Sequence, residues 1–213
     1  MEKGDFIRID YVGRVKDVNE IFDLTIEEVA KKEGIYNEKR KYRPACIILG
    51  EGMLIKGLEE GIMKMNVGEK KTIEVSYKDA FGERNPELVR TFSIDLFKKQ
   101  NIDPKHGLIV NFSGLIGRVQ SVTSGRVRVD FNHPLAGKDL VYEVEIKEKV
   151  EDPKEKLKFI LEIFEIEAES DLKDKEAIIK LEKKSLSTTV KRGLVELIKK
   201  YIKVDKVVFI EEF

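Results

Sequence analysis

A half-buried strand pattern appears near the start of the chain and returns far downstream, with material of a different character in between. From Ile7 to Tyr11 apolar and polar residues alternate, with Ile7, Ile9 and Tyr11 on one face and Arg8 and Asp10 on the other. That is the period of a strand with one buried face. The period recurs at Ile73, Val75 and Tyr77 against Thr72, Glu74 and Ser76, and again at Leu140, Tyr142, Val144 and Ile146 against Glu143, Glu145 and Lys147. Residues 85–133 hold shorter strand candidates at Leu108–Phe112, Gly117–Val122 and Arg126–Phe131, the last two joined by a Ser124-Gly125 turn. This small all-β unit lies between strands of the first pattern, so it is an insertion and the first domain is discontinuous along the chain.

Helical signals fill the rest. Thr25-Ile26-Glu27-Glu28 has the form of a capping box, predicting a short helix to about Lys32 that Gly34 ends. Ala45–Leu49 reads as a further strand. Between the glycines of Gly50–Ile62, the residues Leu54, Ile55, Leu58 and Ile62 stand at helical offsets, predicting one short helix closely approached by other backbone. Asp152-Pro153-Lys154-Glu155 supplies an N-cap, a proline at N1 and a capping Glu ahead of Leu157, Ile160, Leu161 and Phe164. Lys175–Lys183 and Lys206–Glu212 read as strands around a helix that Ser187 caps, giving an α-β-α-β order. At about sixty residues such a unit is marginal alone and is expected to dock or dimerise.

Composition narrows the function. The 40 basic and 40 acidic residues cancel, which disfavours nucleic acid and anionic membranes as partners. Cys46 is the sole cysteine, which fits a reducing cytoplasm and leaves no intrachain disulfide or multi-cysteine metal site. No apolar leader precedes the first strand and no apolar run approaches the roughly 18 residues of a membrane span, so a soluble intracellular protein is expected. His106 and His133 stand alone, and neither a metal-binding motif nor a phosphate-binding loop occurs. What remains is a set of inward-facing side chains, Tyr11, Phe22, Ile55, Leu58, Phe81 and Tyr142, which on periodicity alone form either a core or a ligand pocket.

The order of several short motifs adds a resemblance. "DYVGRV" from Asp10, the Phe22-Asp23 pair, "IKGLEEGI" from Ile55, "NVGEK" from Asn66, "DAFGE" from Asp79 and "LVYEVEI" from Leu140 together resemble the FKBP-type peptidyl-prolyl isomerases along most of the first domain. The segment ending in "NHPLAGKDL" from Asn132 is similar to the SlyD-type branch, whose insert-in-flap domain contributes chaperone activity.

The resemblance implies an FKBP-like antiparallel half-barrel wrapped on a short helix (residues 1–84 and 134–152) with an inserted small all-β domain (85–133); the residue pattern adds a C-terminal α/β domain (153–213) that resembles no named family, for an α+β fold as a whole. It implies a proline pocket lined by Tyr11, Phe22, Ile55, Leu58, Phe81 and Tyr142, with Asp23 bonding at the rim and the Ile55 amide holding a substrate carbonyl. Leu54 and Leu135 are implied as further substrate contacts, and Leu108, Ile109, Phe112, Leu115 and Ile116 as client contacts on the insert, those not needed for its own core. The implied activity is cis-trans isomerisation of Xaa-Pro bonds in unfolded or nascent polypeptides, with no cofactor. Without a His/Cys-rich tail, nickel binding is not expected. Two alternatives stay open, a non-enzymatic holdase with a degenerate pocket, suggested by Phe81 and Ala45 where the family usually has tyrosine and often an aromatic residue, and an assembly module. A homodimer through the C-terminal unit is a further expectation.

Overall fold

The computed structural model describes residues 1–112, 114–182 and 185–212. In chain order the first elements are β1 (Phe6–Val15), β2 (Ile21–Leu24), helix α1 (Glu27–Lys32), β3 (Ala45–Ile48), helix α2 (Lys56–Met63) and β4 (Lys70–Val75). Next come β5 (Val89–Ser93), α3 (Ile94–Lys98), β6 (Ile109–Phe112), β7 (Leu115–Thr123) and β8 (Arg126–Asp130). The chain continues with β9 (Leu140–Val150), α4 (Pro153–Ile163), β10 (Glu169–Lys173), β11 (Glu176–Glu182), α5 (Thr188–Ile202) and β12 (Lys206–Glu212). The predicted strand Lys175–Lys183 corresponds to β11, and Lys183 itself lies outside the described residues. Two compact units result: Met1–Val75 together with the chain from Leu140 onward, and Ser76–Asp139.

The first unit is built on an antiparallel sheet ordered β2-β1-β9-β4, with β3 also on β1. β1 is its axis. Along one edge it pairs first with β3 (Phe6 opposite Ile48, Ile9 opposite Ala45) and then with β2 (Val12 opposite Leu24), while β9 runs the whole length of the other edge. Ile7, Ile9, Ile73, Val75, Leu140, Tyr142, Val144 and Ile146 are all buried, as the period-two reading requires. Helix α2 lies against β4 with Leu58 and Ile62 buried. Gly61 permits this approach: a methyl there would lie 2.8 Å from the Ile73 side chain. The close neighbour is thus a side chain rather than the backbone expected.

Two local expectations change. Thr25 does not cap α1, whose N-cap is Ile26 with no side-chain bond. Its hydroxyl instead accepts from Tyr11 N–H at 2.9 Å and donates to Asp10 Oδ1 at 2.9 Å, so it links the start of α1 to β1. A tertiary partner has outcompeted the local cap. β4 also ends at Val75, before Tyr77, which begins a single 3-10 turn over Tyr77–Asp79.

The C-terminal segment adds a three-stranded sheet ordered β10-β11-β12, with β10–β11 antiparallel and β11–β12 parallel across the α5 connection. Its order is α-β-β-α-β; β10, read from Glu-Ser-Asp-Leu-Lys, carries one apolar residue and no alternation to detect. The expected caps are present: Asp152 accepts from the Lys154 and Glu155 amides, and Ser187 from Val190 N–H. This segment does not form a core by itself. Leu157, Phe159, Ile160, Leu194 and Ile198 pack in one cluster with Phe6 of β1 and Ile48 of β3. Phe159 meets Phe6 edge-on at 5.2 Å. Around this contact Arg8 pairs with Glu148 at 2.7 Å and with Glu162 at 2.6 Å, and Arg43 reaches the other Glu162 oxygen at 3.1 Å. Docking supplies the apolar cover that a segment of this size cannot make alone.

The second unit holds a sheet ordered β5-β8-β7-β6 over a core of Phe97, Val110, Val119, Val127 and Val129, with Phe92, Phe112 and Phe131 packed on it. Ser124 (φ 48°) and Gly125 (φ 79°) form the two-residue hairpin turn between β7 and β8, where left-handed backbone matches the twist of the strands. The unit is not purely β. Ser93 caps the short helix α3, which places Phe97 beneath the sheet; five residues are too few for helical periodicity to show.

Candidate functional site

In the first unit three adjacent strands deliver aromatic rings to one place. Gly13 on β1 stands between Asp23 on β2 and Tyr142 on β9. A methyl at Gly13 would lie 2.7 Å from Phe22 Cζ and 3.0 Å from Tyr142 Cε1. The bare backbone at Gly13 is therefore the floor on which Phe22 and Tyr142 meet, edge-on at 5.6 Å. Tyr11, two residues earlier on the same face, lies 6.1 Å from Tyr142. Gly13 is a site residue that the sequence pattern alone does not single out, since a glycine in a strand signals only a bulge or a close approach.

Asp23 is held from three sides. Tyr11 O–H donates to Asp23 Oδ2 at 2.5 Å, while Leu24 N–H and Arg40 Nη2 donate to Oδ1 at 2.9 Å and 2.5 Å. Arg40 also donates to Leu24 O. A carboxylate offers about four lone-pair sites, so these bonds fix its position and leave acceptor capacity facing solvent, to which its side chain is 39% exposed. Arg40 is the second residue that sequence reading misses: it lies in a charged loop without periodicity, and nothing in the order of residues says that its guanidinium turns back onto Asp23.

Burial and then the Asp23 hydrogen bond raise the pKa of the Tyr11 phenol, while burial and the Asp23 charge push Tyr142 up to about 12. A raised acid pKa means the fold holds the neutral phenol. This contributes stability that is complete below about pH 10, the ordinary tyrosine value, and is lost as pH rises through about 12. Unfolding measured from pH 9 upward should show stability falling across that window, and Tyr142→Phe should flatten part of the fall. Phenolate absorbance appearing near pH 10 for all six tyrosines would mean the hollow is wet.

Helix α2 lies against β4, the strand that pairs with β9 at Ile73 and Tyr142. Leu58 is buried, and Leu54 and Ile55 are half-buried. Ile55 is the N-cap of α2 in extended conformation, and its carbonyl accepts from Leu58 N–H and Glu59 N–H at 3.1 Å and 3.0 Å. Among the described residues none accepts from the Ile55 N–H. A half-buried backbone donor without an internal partner is uncommon.

The remaining predicted residues belong to the second unit. Phe81 stacks on His133 at 4.2 Å between ring centres, and His133 Nδ1 accepts from Leu135 N–H at 3.1 Å. The same region is closed by Gly137 N–H donating to Gly82 O at 2.8 Å. Of the predicted client contacts, Leu108 and Phe112 pack on the unit's core, whereas Ile109, Leu115 and Ile116 are 62%, 54% and 67% exposed. Among the described residues no three His, Cys, Asp or Glu side chains gather as a metal site, and no helix is long and apolar enough to cross a membrane.

Residues 93–135 match the family described as "FKBP26, IF domain". The chain is 35% identical over 148 residues to the short-type peptidyl-prolyl cis-trans isomerase of Methanocaldococcus jannaschii, covering 70% of this chain and 93% of that protein. It is 30% identical over 132 residues to the FKBP-type 16 kDa peptidyl-prolyl cis-trans isomerase of Escherichia coli, covering 60% of this chain and 86% of that one. With SlyD of Vibrio cholerae it shares 31% identity over 130 residues, 59% of this chain and 62% of SlyD. With a relative of this kind 35% identical and matched over 93% of its length, the chain belongs to the FKBP-type peptidyl-prolyl cis-trans isomerases.

Proposed function

We propose that this isomerase binds proline-containing segments of unfolded or partly folded polypeptides, turning over the Xaa-Pro bond in a hollow of Tyr11, Phe22, Asp23, Ile55, Leu58 and Tyr142, with Leu54 as a further contact. The gathering of Tyr11, Phe22 and Tyr142 over Gly13, with Asp23 held at its side, is the observation that carries the reading of the site. Rotation about the peptide bond faces a barrier of about 18–20 kcal/mol, because it breaks amide resonance. In the twisted state the nitrogen lone pair leaves conjugation and the amide dipole falls. A dry wall of Phe22, Leu58 and Tyr142 therefore disfavours the twisted state less than the planar one. Ile55 N–H holds a substrate carbonyl while the bond turns, and Asp23, anchored by Tyr11 and Arg40, offers its remaining acceptor sites to a substrate N–H. No proton need move.

The chaperone part of the reading assigns client binding to the insert. Ile109 and Ile116 lie on the outer face of β6 and β7, with Leu115 at their turn, and β6 is the edge strand of its sheet. Exposed apolar residues beside an unpaired edge suit an extended, unfolded segment, which can add backbone bonds as well as side-chain contacts. Two weak sites on one chain raise the local concentration of proline bonds at the isomerase hollow. The lone, half-buried Cys46, whose thiol burial pushes up to about 12, accords with a cytoplasmic setting.

The test is proline-limited refolding of an unrelated protein, set beside turnover of a short Xaa-Pro peptide. Replacing Ile109, Leu115 and Ile116 together by Ser is expected to reduce refolding acceleration by about tenfold or more while peptide turnover holds. Equal loss of both activities, or loss of neither, would remove client binding from these residues. A wild-type chain that suppresses aggregation without turning over either substrate would instead be a holdase.

A further inference from the structure

Glu51 sits between two glycines in left-handed backbone, Gly50 at φ 87° and Gly52 at φ 68°. Such glycines are joints: no Cβ restricts them, and the chain between them can swing. These joints lie in the loop that leads from β3 into α2, and the loop ends at Ile55, the residue whose N–H the proposed mechanism presents to substrate.

The loop is pinned from its own neighbourhood at three points. Gly50 N–H donates to Glu59 Oε1 on α2 at 2.8 Å, Glu51 N–H to Ile48 O at 3.3 Å, and Ile48 N–H to Met53 Sδ at 3.4 Å. The side chain of Glu51 turns away from all of these. Its Oε1 accepts from Lys200 Nζ at 2.6 Å and from Tyr201 O–H, both in the last turn of α5 and about 150 residues further along the chain. The carboxylate is largely covered, its side chain 22% exposed.

Tyr201 is itself held firmly enough to act as a post. Its ring meets Phe6 edge-on at 5.2 Å. On its other side a methyl at Gly4 would lie 3.3 Å from Tyr201 Cε1. Gly4 N–H in turn donates to Leu49 O at 2.7 Å, the carbonyl directly before Gly50. Tyr201 thus bonds the loop through its hydroxyl, while its ring lies beside Gly4, whose N–H bonds the carbonyl at the loop's base.

We propose that Tyr201, with Lys200, is a positioning residue for the isomerase site: it clamps Glu51, and through it the Gly50–Ile55 loop, so that the Ile55 N–H meets the substrate carbonyl at a fixed place. The C-terminal helix is then a working part of the enzyme rather than an appendage. The inference rests on the assignment of Ile55 in the proposed function. Placement matters because a group that holds substrate needs a supporting shell to keep it within about 0.5 Å of its productive position, and losing that shell weakens binding of substrate and transition state alike. Between two glycine joints, Glu51 supplies that shell.

The experiment uses the full chain and the variants Tyr201→Phe, Glu51→Gln and their combination. Tyr201→Phe keeps the ring against Phe6 and Gly4 and removes only the bond to Glu51, so a purely structural role predicts little change in activity at unchanged melting temperature. The clamp predicts a KM for a short Xaa-Pro peptide raised about three- to tenfold with kcat nearly constant. It also predicts faster amide hydrogen exchange confined to Gly52–Ile55; Glu51→Gln, which keeps an acceptor oxygen for Tyr201 and loses only the carboxylate charge, should fall between wild type and the double variant. Unchanged exchange or unchanged KM in Tyr201→Phe, with wild-type turnover normal, would sink the clamp and leave the isomerase reading intact. A wild-type chain with no peptide turnover would take down that reading and the clamp's purpose together, whatever the exchange rates show.

Discussion

Tyr142→Ala is expected to lower kcat/KM on a short Xaa-Pro peptide by roughly 10- to 100-fold, the largest loss from any single change in the hollow. The ring of Tyr142 covers Gly13 and closes on Phe22, and it is 5% exposed. Under the proposed mechanism, removing it admits water where the twisted amide needs a dry wall. The substitution also opens a cavity, and aromatic-to-alanine changes in cores cost about 3–5 kcal/mol, a large part of a typical stability of about 5–15 kcal/mol. Circular dichroism must therefore show the variant folded at the assay temperature. Tyr142→Phe separates the two effects, because it keeps the ring and removes only the hydroxyl, and its turnover should stay within about threefold of wild type if the wall is what matters. Full activity in a folded Tyr142→Ala protein would exclude the residue from the mechanism. A collapse of turnover in Tyr142→Phe would assign the work to the hydroxyl instead.

Phe159→Ala should destabilise the chain by about 3–5 kcal/mol, read as a lower urea midpoint with an unchanged slope. Phe159 is fully buried, lies edge-on to Phe6, and has Arg8 5.1 Å above its ring. Its loss would open space in the cluster that joins β1 and β3 to α4 and α5. One cooperative transition moving as a whole is the expected result, because these elements share that cluster. A two-step melt, with the sheet holding Tyr142 unaffected, would show that the shared core carries little energy. Ile210→Ser is a suitable control, since Ile210 is 41% exposed and such surface changes usually stay within about 0.5 kcal/mol.

The parts of this architecture that could be read from the sequence are those where one rule acts alone. β9 faces the interior on one side only, so Leu140, Tyr142, Val144 and Ile146 alternate with charged residues; Asp152, Pro153 and Ser187 begin helices through strictly local chemistry. β1 was legible only in part. Phe6 and Ile7 are both fully buried, although neighbours on a strand point to opposite faces, because α4 and α5 cover Phe6 from the far side. Alternation disappears where both faces are covered. Within the hollow, Tyr11, Phe22, Asp23 and Tyr142 are brought together as the motif order implies, whereas the contributions of Arg40 and Gly13 depend on side-chain return and close packing that no spacing encodes. Thr25 shows the opposite failure, a local signal that is real in isolation and is overruled by Asp10 and Tyr11.

The cluster around Phe6 also governs how the chain itself can be made. Phe6 and Ile48 are synthesised well before their cover, which is completed only with Leu194 and Ile198. At about 5–20 residues per second, that leaves the apolar side of β1 and β3 without its partners for roughly ten seconds or more, and β1 also waits for β9. A nascent copy of this chain thus carries an uncovered apolar sheet face through most of the synthesis that separates Phe6 from Ile198, and closure of the shared core has to wait for α5.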